Sequence, residues 1–79
     1  MLYGDAIRKR IKNLANERKI TIHKVSTLAG ISHSTLSAFM NGDRKDLKSS
    51  TILHICEGLN IKLWEFYKDS LFDDVADEQ

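Results

Sequence analysis

His33, Ser34, Ser37 and Ala38 share one side of the segment His33–Met40, with Asn41 just beyond it, while Leu36, Phe39 and Met40 occupy the other side. The first group is small, polar and free of carboxylates. It can hydrogen-bond in a confined space without bulk or negative charge. Just downstream, Asp43-Arg44-Lys45-Asp46-Leu47-Lys48 adds three cations. Together these side chains suit recognition of an anionic, hydrogen-bonding partner. Catalysis is not expected, because no nucleophile, base and orienting group are assembled and no Gly-rich phosphate loop is present. The three histidines and single cysteine, Cys56, lack metal-ligand spacing, so neither a metal nor a cofactor is expected. Cys56 lies in an apolar stretch and reads as a buried structural thiol.

Apolar spacing divides the chain into five helices, with no convincing strand alternation. The first spans about Ala6 to Arg18 with Asp5 as N-cap; Ile7, Ile11, Leu14 and Ala15 make its inward stripe, and Arg8, Lys9 and Lys12 lie mostly away from it. The second begins at the cap Thr21, with Ile20 and Val25 at hydrophobic-staple positions. Val25, Leu28 and Ala29 are expected inside. Gly30 can take the left-handed conformation that ends this helix. The third helix repeats the device, with Ser32 as cap and Ile31 and Leu36 as staple. Ser49 or Ser50 caps a fourth helix carrying Ile52, Leu53, Ile55, Cys56 and Leu59 inward. A fifth begins near Lys62 and carries Leu63, Trp64, Phe66, Tyr67 and Leu71. Residues 1–72 therefore form one all-α domain, and the acidic tail 73–79 is expected to fray.

Two short helices joined by a Gly-containing turn read as a helix-turn-helix. The N-terminal residues of its second helix would meet base edges in the major groove. Charge supports this: residues 1–48 hold ten Lys/Arg against four Asp/Glu, and residues 49–79 two against seven, an asymmetry concealed by the net charge of +1.

The segment Thr21 to Gly42, with the later stretch Ile55 to Tyr67, resembles the Cro/repressor (XRE-type, lambda-repressor-like) helix-turn-helix family over about residues 5–70. The resemblance implies a compact five-helix bundle that binds double-stranded operator DNA as a homodimer and represses transcription. It implies base-reading roles for His33, Ser34, Ser37 and Ala38. It places Thr35, Asn41, Ser32 and Thr21, with Arg44, Lys45 and Lys48 of the loop, near the DNA backbone. Trp64, Phe66 and Tyr67 fall in a region that family members use for dimerisation, and Trp64 is the aromatic expected to be exposed.

Three positions depart from the pattern. Ile22 stands where members often carry a DNA-touching Gln; it is either extra core or an exposed apolar residue. Ala15 and Met40 replace an Arg–Glu pair and are expected to touch. The reading face lacks Arg, Gln and Asn at its strongest positions, and serine discriminates bases weakly, so phosphate contacts and DNA shape should carry more weight. The soft face also leaves open a protein-interaction module, antitoxin-like or accessory to a mobile element, working with a regulatory protein partner. No apolar run approaches the roughly 18 residues of a membrane span, and Met1-Leu2-Tyr3-Gly4-Asp5 lacks signal-peptide order, so a cytoplasmic location is expected.

Overall fold

A computed structural model describes residues 1–77. Five helices follow in order: α1 (Tyr3–Glu17), α2 (Ile22–Ala29), α3 (His33–Met40), α4 (Ser49–Gly58) and α5 (Leu63–Tyr67), with a final 3-10 turn at Ser70–Phe72. The all-helical bundle expected from the sequence is present. α2 packs on both α3 and α4, α5 on α4, and the 3-10 turn on α1. Phe39, Leu36, Ile11, Ile55, Val25 and Phe66 fill the centre.

The ends of α1 to α4 share one device. Lys19, Gly30, Gly42 and Asn60 have positive φ. After each of them, the next residue donates its backbone N–H to a carbonyl five residues earlier: Ile20 to Ala15, Ile31 to Ser26, Asp43 to Ala38 and Ile61 to Cys56. These are Schellman endings, which satisfy carbonyls that the helix itself leaves unpaired. Three of the four following residues are isoleucines packed against the core. Thr21 and Ser32 cap α2 and α3 as expected, accepting from the N–H groups of Lys24 and Thr35.

Several expectations are corrected. α1 starts at Tyr3 with Leu2 in the cap position; Asp5 lies in the first turn and pairs with Arg8 instead. Lys48, not a serine, occupies the cap position of α4 and makes no side-chain cap bond. Leu28 and Leu53 are each 43% exposed. For Leu28 the physical reason is a close crossing of α2 and α4: a Cβ on Gly58 would lie 2.6 Å from the Leu28 carbonyl carbon and oxygen. α4 therefore meets the main chain at Leu28 and leaves that side chain outside. Leu71 belongs to the 3-10 turn and not to α5. Arg10 caps the end of α5, donating to the oxygens of Glu65 (2.9 Å) and Phe66 (2.7 Å).

The acidic end also departs from expectation. Ala76 pairs with the N-terminus: Tyr3 N–H donates to the Ala76 carbonyl (2.9 Å), and Ala76 N–H to the Met1 carbonyl (3.1 Å). Backbone pairing needs no apolar side chains, which is why composition points to fraying. The last two residues of the segment lie outside the described residues. Ala15 is buried and Met40 packs against the same core cluster.

Gly58→Ala forces a methyl into the main chain at Leu28 and should lower stability by about 1–3 kcal/mol. Urea unfolding followed by circular dichroism would measure this. A variant as stable as the parent would show that the crossing relaxes without cost.

Candidate nucleic-acid interface

α2 and α3 meet through the turn Gly30-Ile31-Ser32, and this junction sets out the reading face. His33, Ser34 and Ser37 are exposed, Asn41 follows them on the surface, and Ala38 is half-buried. Ser32 is engaged twice, as the cap accepting from Thr35 N–H and in a 2.7 Å hydroxyl contact with Ser34. Thr21 is likewise occupied by its cap bond, at 3.0 Å from Lys24 N.

His33 does not project freely. Its Nδ1 is hydrogen-bonded to Ser26 Oγ, and its Nε2 lies 2.5 Å from Nε2 of His23. Spacing along the chain separates these two histidines and gives His23 no role. Ile22 is half-buried against the core and, with His23, Ser26, His33 and Ser37, lines a groove of about 260 Å³. It therefore contributes to both the core and the surface.

Thr35, Arg44 and Lys48 come together. They line a second groove of about 380 Å³ with Asp46, Leu47 and Thr51. Thr51, in the first turn of α4, carries no signal of this in the sequence. Asp43 and Asp46 temper the loop's positive charge.

What holds this loop is Arg8. Its guanidinium donates to the carbonyls of Phe39 (2.6 Å) and Arg44 (2.7 Å), pairs with Asp5 (2.9 Å) and lies 4.5 Å from the centre of the Phe39 ring. One arginine thus ties α1 to the end of α3 and to the loop beside it. Gly4 completes the fit, since a Cβ there would lie 2.8 Å from the Lys45 carbonyl oxygen. Arg10 does the same for the other end of the molecule, binding the α5 carbonyls and Asp69. In the sequence Arg8 lies away from the inward stripe and Arg10 carries no signal, because spacing does not show which carbonyls lie opposite.

The aromatics at the C-terminal end separate sharply. Trp64 is 63% exposed, with Lys68 Nζ 5.6 Å from its ring centre. Leu63 and Leu53 are exposed nearby, where they line one groove with Ile61. Phe66 has 0% exposure, so its place among the surface aromatics is corrected: it fills the core between α5 and α1 and offers nothing to a second molecule. Tyr67 is half-buried, its hydroxyl 2.8 Å from that of Tyr3. Burial pushes the Tyr67 phenol well above the usual tyrosine value, and the Tyr3 hydrogen bond adds to the rise. Burial likewise raises the Cys56 thiol, keeping it protonated. Among the described residues, no group of three or more His, Cys, Asp and Glu gathers to hold a metal ion, and no helix is long and apolar enough to cross a membrane.

Residues 10–70, which contain this helix-turn-helix and both grooves, match the family model for the Cro/C1-type HTH DNA-binding domain. The chain belongs to that family. A solved structure, the crystal structure of the prophage Lp1 protein 11, is similar to this chain with a TM-score of 0.81 and 29% identity. The match covers 95% of this chain and 100% of that one. Comparison with curated proteins gave no match.

The Arg8 clamp and the buried phenol each have a measurable consequence. Arg8→Lys keeps the charge but not the planar fork that reaches two carbonyls and a carboxylate. Loss of charged hydrogen bonds of this kind costs about 1.5–3 kcal/mol each. Amide exchange in residues 43–48 should accelerate more than in α1, and equal acceleration throughout would refute the clamp. For Tyr67, the folded state holds its proton more tightly than the unfolded chain. Its contribution is full below about pH 10, the ordinary tyrosine range, and declines as pH rises beyond it. Chemical denaturation should show stability falling above that pH, with a shallower fall in Tyr67→Phe; identical slopes would remove Tyr67 as the cause.

Proposed function

We propose that this protein is a dimeric, sequence-biased transcriptional regulator acting as a repressor on double-stranded DNA. The observation that carries this reading is the exposed, small and carboxylate-free face of α3 beside the Thr35–Arg44–Lys48 groove, within a Cro/C1-type domain. Ser34, Ser37 and Ala38 face base edges. Thr35, Asn41, Arg44, Lys45, Lys48 and Thr51 meet the backbone, with the caps Ser32 and Thr21 at its margin. His33 contributes through the His23–Ser26 contact and not as an isolated reader. Weak base discrimination by serine puts weight on phosphate contacts and DNA shape.

Trp64, with Leu63 and Leu53, forms the dimer contact. Two copies joined there present their α3 helices to successive major grooves, about 34 Å apart on one face of the duplex. Repression follows from occlusion of the site by such a dimer. Similarity to a prophage protein suits a regulator carried by a mobile element.

Selection from random duplex DNA at two salt concentrations tests the proposal. It should recover a palindrome with half-sites one turn apart. Lys48→Ala should weaken binding across all sequences and reduce the slope of log K against log salt by about 1. Ser37→Ala should instead alter preference at one position per half-site. Trp64→Ala should shift the protein toward monomer in sedimentation. Absence of binding at either salt would overturn the DNA reading and leave a protein-interaction module.

A further inference from the structure

His23 and His33 are ten residues apart, on different helices of the helix-turn-helix, yet their Nε2 atoms lie 2.5 Å apart. Both side chains are exposed, whereas Ser26 behind them has 1% exposure. Ser26 Oγ donates its only proton to the His23 carbonyl oxygen at 2.6 Å. Its oxygen is then available only as an acceptor, so the bond from His33 fixes the proton of that ring on Nδ1. His33 Nε2 is left with its lone pair beside the His23 ring. A hydrogen bond on the far ring nitrogen, fixing the tautomer and orientation, is what metal-ligating histidines use.

We propose that His23 and His33 form a two-imidazole site for a late first-row divalent cation of the zinc class, bridging α2 and α3. In the cation-free protein the two rings meet edge to face, their centroids 3.5 Å apart. On binding, each neutral ring carries its proton on Nδ1, and both Nε2 lone pairs bind the ion. No net proton is released from the neutral pair, and no oxidation or reduction occurs. Metal–nitrogen bonds of about 2.0–2.1 Å at a tetrahedral angle need the nitrogens roughly 3.3 Å apart. Rotation of the exposed His23 ring supplies the difference.

The groove of about 260 Å³ lined by Ile22, His23, Ser26, His33 and Ser37 leaves space for the ion and its remaining water ligands. No carboxylate lines it, and a purely imidazole donor set favours zinc, copper or nickel over magnesium or calcium. The bound ion cross-links the two helices and adds positive charge at their shared surface. The assignment does not depend on DNA binding, and its test uses protein alone.

Zinc ion is titrated into the full chain in a non-chelating buffer, followed by calorimetry and by long-range proton–nitrogen spectra of the imidazoles. One equivalent should bind, moving the Nε2 resonances of His23 and His33 and leaving those of His54 in place. His23→Gln and His33→Gln should each weaken binding by more than about tenfold, and Ser26→Ala by roughly tenfold through loss of the fixed tautomer. His54→Gln should bind as the parent does. Because His23 and His33 are exposed, their variants should retain the parent circular dichroism spectrum. Equal zinc affinity in parent and the His23→Gln/His33→Gln double variant would overturn the site, as would displacement of the His54 resonances or no binding at millimolar zinc.

Discussion

Three isoleucines hold the helices of this protein in their relative orientations. Ile20, Ile31 and Ile61 each follow a left-handed residue that ends one helix, and each precedes the cap position of the next. Each donates its N–H backward into the finished helix while its side chain packs on the core. The partner at the staple position of the next helix is Val25, Leu36 or Phe66, all fully buried. One residue thus serves as the closing contact of one helix and the opening contact of its successor. The chain has only two torsions either side of such a residue, so anchoring it fixes the direction in which the next helix leaves. The angle between α2 and α3, on which any reading face depends, is set this way at Ile31.

Fixing helices by their ends leaves the loop between α3 and α4 to be held otherwise. Its end has an apolar anchor, Leu47, which precedes the cap position Lys48 and packs on the core five residues before the buried Ile52, but at its start Asp43 stands where the other junctions place isoleucine. Arg8 holds that start in place of the apolar anchor. Its alkyl stem and guanidinium cover the Phe39 ring while its donors take carbonyls on both sides of the turn. A charged side chain can do this at modest desolvation cost because each of its three nitrogens has an acceptor, one of them the Asp5 carboxylate. The loop keeps its own cations exposed as a result, since the charge that orders it comes from α1.

Two of the three junction devices are legible in the residues: a cap-forming Thr or Ser preceded by isoleucine, with an apolar residue five positions after that isoleucine, is a local signal, whereas Ile61 precedes Lys62 and lacks it. The same locality explains what spacing does not reveal. Arg8 and Arg10 act on carbonyls 31 to 56 positions away, and nothing nearby in sequence marks them as different from Lys9 or Lys12. Leu28 and Leu53 sit at inward spacing, but whether a side chain is covered depends on how closely another helix approaches. Here the small Gly58 brings α4 onto the backbone. The His23–His33 pair is of the same kind, produced by the turn angle and not by spacing along the chain. Phe66 and Trp64 are two residues apart on one helix, and periodicity alone separates their faces; it does not exclude Phe66 from the surface, because the depth of the core beneath α5 is a tertiary property.

The acidic end completes this arrangement. Ala76 pairs with the backbone at Met1 and Tyr3, and Tyr3 in turn meets Tyr67. The N-terminus of α1 is therefore held from two directions, by the C-terminal segment on one side and by the Gly4–Lys45 approach on the other. Pairing through main-chain atoms leaves Asp73 and Asp74 exposed. A helix N-terminus carries partial positive charge, which favours acidic residues in its vicinity. The negative half of the sequence thus returns to the start of α1 while α3 keeps its carboxylate-free face. The near-neutral total charge of the chain is the sum of a basic N-terminal part and an acidic C-terminal part that meet at the Arg10–Asp69 pair and at the start of α1, so the carboxylate-free face of α3, and not the net charge, is what bears on an anionic partner.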